Sequence, residues 1–161
     1  MTLKGQDRTA LISYKIERAI ETIKTAENVF NIDDLYTVVN RIYYACFYAV
    51  SALLLTKNLS SKTHDGTKQL FGKYFIKEGI IDKEYGKFYN QILGSRQESD
   101  YGSSPIRFSK QEVENNLRKA KEFIQEINVH HIESRQMGGD GPDNLITLCE
   151  TCHKAYHIIC R

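Results

Sequence analysis

The chain has 161 residues, 41% hydrophobic and 26% charged, the size and balance of one ordinary globular domain with a small appendage. The formal net charge is +2, without the heavy basic excess of a strong nucleic-acid binder, so any nucleic-acid contact must rest on a local patch. No apolar run reaches the ~20 residues of a membrane span, and the N-terminus lacks an apolar signal core. A cytoplasmic location with reduced cysteines follows as the default expectation, and reduced thiols favour metal binding over disulfides.

Leu11, Tyr14, Ile16, Ala19, Ile20, Ile23 and Ala26 recur every three or four residues and predict an amphipathic helix over 7–28. Asp33 and Asp34 are N-cap candidates for a second helix reaching about Lys57. That segment is the most apolar of the chain, with Leu35, Val38, Val39, Ile42, Tyr43, Cys46, Phe47, Val50, Leu53 and Leu54 nearly all round, so it should be central. A third helix follows Thr63, carries Leu70, Phe71, Tyr74 and Phe75, and stops near Gly79. Asp82 can cap a fourth, through Phe88, Ile92 and Leu93. Gly102 to Pro105 form a loop, and Ser109 with Glu112 has the spacing of a capping box. The last helix of this body places Val113, Leu117, Ala120, Ile124 and Ile127 on one stripe. Residues 1–127 are therefore expected to form an antiparallel bundle of four to five helices. Within it, Tyr43, Tyr44 and Tyr48 suit core or a dimer surface, His64 suits a solvated or capping position, and Cys46 suits a small buried hydrophobe.

The tail, 128–161, holds four of the five histidines and three of the four cysteines. Imidazole and thiolate are the donors that borderline metals prefer, so the clustering points to a metal site. Val129-His130-His131-Ile132 sets β-branched residues around a His pair and predicts a short strand. Gly138 to Pro142 form a loop, Asn144 to Leu148 a second strand, and a helix is expected from Glu150. His153 and His157, at i and i+4, would share one face of that helix and could bind one ion together.

The HHI of His130 to Ile132, the Gly138-Gly139 pair, the NLITLC of Asn144 to Cys149 and the CxxCH of Cys149 to His153, with His157 after it, together resemble the HNH nuclease family. That resemblance implies a ββα-metal module over 128–161. In it His131 is the general base, Asn144 steadies the loop and the base, and His130, His153 and His157 hold one divalent ion (Mg2+, Mn2+, Ni2+ or Zn2+). Many members also carry an upstream CxxC that completes a structural zinc site with the later one. No cysteine lies between Cys46 and Cys149, so Cys149 and Cys152 are either half of a zinc site, with Cys160 a possible third sulfur, or unmetallated thiols.

The body resembles the HEPN family through NRIYYACFYAVSALLL (Asn40 to Leu55), SRQESDYG (Ser95 to Gly102) and SKQEVENNLRKAKEFI (Ser109 to Ile124). That resemblance implies a dimeric helical bundle of a kind found among RNases and among toxins paired with a nucleotidyltransferase. Catalytic members follow an Arg with a His about one helical turn on. Here Arg96 matches the Arg, while Asp100 and Tyr101 stand where the His is expected. Arg96 and Asp100 are either that motif or a plain surface ion pair.

Two functions are therefore expected. The first is a metal-dependent endonuclease that cuts nucleic acid, DNA ahead of RNA, with its HNH tail carried on a homodimeric bundle. The alternative is a non-catalytic HEPN-type module acting with a nucleotidyltransferase, its tail inert.

Overall fold

The computed structural model of the protein describes residues 5–101 and 108–136, with side chains at 7–98 and 108–130. The chain divides into two compact units, Met1–Asn128 and Val129–Arg161. Among the described residues there are five α-helices and no strand: α1 Gly5–Phe30, α2 Leu35–Thr56, α3 His64–Phe71, α4 Lys83–Tyr101 and α5 Lys110–Gln136. A single π-helical turn, Gly72–Ile76, continues α3.

Helix α1 buries Ile12, Ile16, Ala19, Ile23 and Ala26 at alternating spacings of four and three. The stripe runs through Ile12, and Tyr14, expected on it, is 57% exposed. The chain then turns through Asp33, at φ 61, a left-handed value that Asp tolerates better than most residues. Of the two cap candidates it is Asp34 that caps α2, accepting from the Thr37 backbone N–H at 3.2 Å and from the Thr37 hydroxyl at 2.6 Å.

Helix α2 is long and apolar enough, by length and composition, to cross a membrane. In this fold most of its apolar surface is buried in the bundle, where α1, α3 and α4 pack against it. Burial on so many sides explains why its sequence is apolar nearly all round rather than along one stripe. Thr63 caps α3 by accepting from Gly66 N–H at 3.0 Å, and Gly79 ends the π-extended segment at φ +69, a value that glycine adopts without a Cβ clash. Asp82 accepts from Glu84 N–H at 2.8 Å to start α4, and Ser109 accepts from Glu112 N–H at 3.2 Å to start α5.

The aromatic centre of the core is Phe123 of α5. Its ring lies 5.1 Å from Tyr85 and 5.8 Å from Phe71, with Phe88 and Tyr89 at 6.3 Å. At its edge, Lys121 reaches Glu27 of α1 at 2.6 Å.

The strand expected over 129–132 does not form, because α5 runs through those residues to Gln136. From Lys110 to Gln136 there is neither Gly nor Pro to stop it. Once a helix is nucleated, each further residue adds a hydrogen bond, which outweighs the weak strand preference of a lone Val and Ile. The ββα frame is therefore not seen in its first part. The loops expected at 102–105 and 138–142, the strand at 144–148 and the helix from 150 lie outside the described residues.

Candidate functional site

Three helices bring the chemically distinctive side chains of the bundle to one place. Tyr43, Tyr44 and Phe47 come from α2, His64 is the first residue of α3, and Arg96 comes from α4. The His64 ring centroid lies 4.9 Å from Phe47, 5.4 Å from Tyr43 and 6.0 Å from Tyr44. Its Nδ1 is 2.7 Å from the Tyr43 hydroxyl. The Arg96 guanidinium carbon lies 5.8 Å from the Tyr43 ring and 5.6 Å from the Tyr44 ring, within cation–π range of both. One of its terminal nitrogens donates to the Tyr44 hydroxyl at 3.4 Å. Arg41 lies over the same Tyr44 ring at 5.5 Å.

Arg96 is only 9% exposed. Asp100 and Tyr101 lie on the last turn of α4, and their side chains are outside the described residues. His64 is half-buried rather than solvated. Burial lowers its affinity for a proton, and the positive charge of Arg96 lowers it further, against a smaller opposite pull from Asp65. Burial pushes the Tyr43 phenol up to about 12. Both groups are therefore neutral near pH 7, and their contact is a hydrogen bond between a phenol and an imidazole. Cys46 is fully buried and burial raises its thiol, which makes it a core residue and not a nucleophile.

His64 is the functional candidate that sequence reasoning missed. Its signal was available, since it is the body's only histidine and Arg96 has no His a turn later to complete its motif. The link between them exists only in space.

Of the predicted metal set, His130 is half-buried on α5, and His131 follows it on the same helix. Among the described residues no three His, Cys, Asp or Glu side chains gather as a metal site. His153 and His157, the predicted companions of His130, lie outside those residues, as do Asn144, Cys149, Cys152 and Cys160.

A helical bundle with a buried arginine against two tyrosine rings, followed by a segment dense in histidine and cysteine, is the class of protein these observations define. The HEPN domain family matches residues 12–130, and the chain belongs to that family. The HNH endonuclease family matches residues 111–158, so the chain joins a HEPN domain to an HNH segment, as both resemblances implied. Residues 111–130, all on α5, fall within both matches.

Relatives share the larger part of the chain. A "UPF0332 protein" of Thermotoga maritima is 40% identical over 121 residues, 75% of this chain and 91% of its own. "Putative toxin MJ0142" of Methanocaldococcus jannaschii is 35% identical over 125 residues, 78% of this chain and 84% of its own. "Putative toxin MJ0605" of the same organism is 34% identical over 125 residues, 78% of this chain and 92% of its own.

Proposed function

We propose that the protein is a metal-dependent endonuclease of a toxin-like class, hydrolysing phosphodiester bonds of nucleic acid in the cytoplasm. The observation that carries this reading is the family match over 111–158, within which His130, His131, Asn144, His153 and His157 fall in HNH order. In it His131 is the base that takes a proton from the attacking water, because an imidazole titrates near neutrality. Asn144 holds the loop and the base. His130, His153 and His157 would hold one divalent ion, a donor set of imidazoles that fits Zn2+, Ni2+ or Mn2+ better than Ca2+. A bound ion would neutralise charge developing on the scissile phosphate. Because His130 lies on a helix where a ββα frame would have a strand, the ligands are proposed residue by residue and not from the fold. Cys149 and Cys152 are proposed as thiolates for a second, structural zinc.

The test is nicking of supercoiled plasmid in the presence of Mg2+, Mn2+ or Ni2+. His131→Ala should lose about 10²–10⁴ in rate, the contribution of a positioned acid–base group, while metal content stays at the wild-type level. Equal cleavage by wild type and His131→Ala would remove the base from this role.

The bundle is proposed as the dimerising part. Sedimentation at micromolar concentration should give a mass near twice 18.6 kDa, and a clean monomer would contradict it.

One observation favours the alternative, in which the bundle alone acts with a nucleotidyltransferase and the tail is inert. The relatives named as toxins align over most of their own length with a stretch that covers only 78% of this chain. Under that reading no divalent metal supports nicking at all.

A further inference from the structure

A second concave place lies where α3, its π-helical turn and α4 meet. The cleft measures about 360 Å³, toward the small end of the ~300–1,000 Å³ of ligand pockets. It shares no lining residue with the Tyr43–His64–Arg96 cluster. Its apolar wall is made by Phe71 and Ile76 with two glycines, Gly72 and Gly86. The glycines differ. A Cβ on Gly86 would come within 3.1 Å of the Ile76 side chain, so the packing of α4 on the π turn calls for glycine there. A Cβ on Gly72 would meet nothing within 4 Å among the described residues, and its φ of −58 suits any residue. Glycine inside a helical run weakens it relative to other residues, and neither packing nor backbone calls for it at 72. Its effect is to leave the cleft open at the π turn, a geometry frequent at functional sites.

The charged lining is of one sign. Lys68, Lys83 and Lys87 border the cleft, and among the described residues no carboxylate does. Lys68 and Lys87 have exposed partners, Asp65 at 4.0 Å and Glu84 at 2.7 Å, and exposed pairs of this kind contribute little. Lys83 has no ion pair among the described residues, and its neighbour Asp82 is engaged in capping α4. The amides of Gln69 and Asn90 add N–H donors at the rim. We infer that this cleft binds a small aromatic carboxylic acid, with its ring against Phe71 and Ile76 over Gly72 and its carboxylate among Lys68, Lys83 and Lys87. One ammonium without a partner matches the single charge of a carboxylate better than the nearly double charge of a phosphate monoester. The site needs neither a metal nor a tail residue, so it stands or falls separately from the HNH reading.

The experiment is a backbone ¹H–¹⁵N spectrum of the 161-residue chain with a chelator present, titrated with cinnamate, with its uncharged amide and with AMP. Cinnamate should move the Gly72 and Gly86 amide signals together and to saturation. The uncharged amide should bind about tenfold more weakly, because it cannot make charge-assisted hydrogen bonds to the lysines. Gly72→Leu puts a side chain into the open cleft. It should abolish the shift at Gly86 and keep or raise the unfolding midpoint, since leucine is the better helix former. Lys83→Glu, a change at an exposed position, should weaken cinnamate about tenfold or more and leave the fold intact. Where Gly72→Leu fails to fold, Lys83→Glu and the uncharged amide decide. Glycine signals that cinnamate does not move at millimolar concentration would overturn the site. So would equal shifts in folded Gly72→Leu, or equal binding of cinnamate by Lys83→Glu. AMP or the uncharged amide binding at these signals as tightly as cinnamate would overturn the carboxylic acid as its ligand.

Discussion

In the bundle, Tyr43, Tyr44, His64 and Arg96 come from three helices and meet at one place. Between His130 and His157 the residues proposed for the nuclease chemistry stand in one short run of sequence, inside the match to the HNH family. The difference lies in how a site is encoded. A site assembled by packing can be recognised only once the helices are placed, whereas a site written as a motif can be read along the chain itself. The two regions should accordingly fail in different ways. The bundle should lose stability when a core contact is removed, and the tail should lose chemistry at single residues that carry little of the fold.

The largest effect on the bundle is expected at Phe123. Its ring is fully buried against Phe71, Tyr85, Phe88 and Tyr89, contributed by α3 and α4. Phe123→Ala removes a large apolar side chain from a packed site and should cost about 3–5 kcal/mol in urea unfolding. A cost below about 1 kcal/mol would mean that α5 is not seated in the core as described, since buried large-to-small changes rarely cost so little.

A smaller effect sharpens the comparison at His64. Its proton affinity is lower in the folded protein than the ordinary imidazole value of 6.5. The unfolded chain therefore binds more protons between the folded and the unfolded midpoints, and stability rises with pH across that window. This contribution is complete above 6.5, where His64 is neutral in both states, and stability falls as the pH drops below that value. Asp34 and Glu84, also lowered, by hydrogen bonds from Thr37 and Lys87, add a pH dependence of the same sign at lower pH. His64→Gln should flatten the dependence just below 6.5 and leave the acid limb in place. An unchanged slope in the variant would show that His64 is not held neutral by its surroundings.

Much of the fold was legible because it rests on local rules. Asp34, Thr63, Asp82 and Ser109 cap helices where their side chains and the following apolar spacing say they should. Gly79 stops the third helical segment with a positive φ. The centrality of α2 followed from its apolar surface alone. The strand expected over 129–132 gives way because the helix already running into those four residues outweighs their strand preference. Tyr14 failed because three- and four-residue spacing admits two neighbouring stripes, and packing against α2 selects the one through Ile12. His64 was missed for a deeper reason. Its partners Tyr43 and Arg96 are more than twenty residues away on either side, so no window of sequence contains them together.

The proposal that a divalent ion held in the tail makes the protein a nuclease is tested most directly by plasmid cleavage with the metal-stripped 161-residue chain. The wild type should be inactive in chelator and regain cleavage on addition of one divalent metal. The His153→Ala, His157→Ala double variant should bind less metal and stay inactive under the same addition. Cleavage that persists in chelator, or that is equal in the double variant, would contradict it.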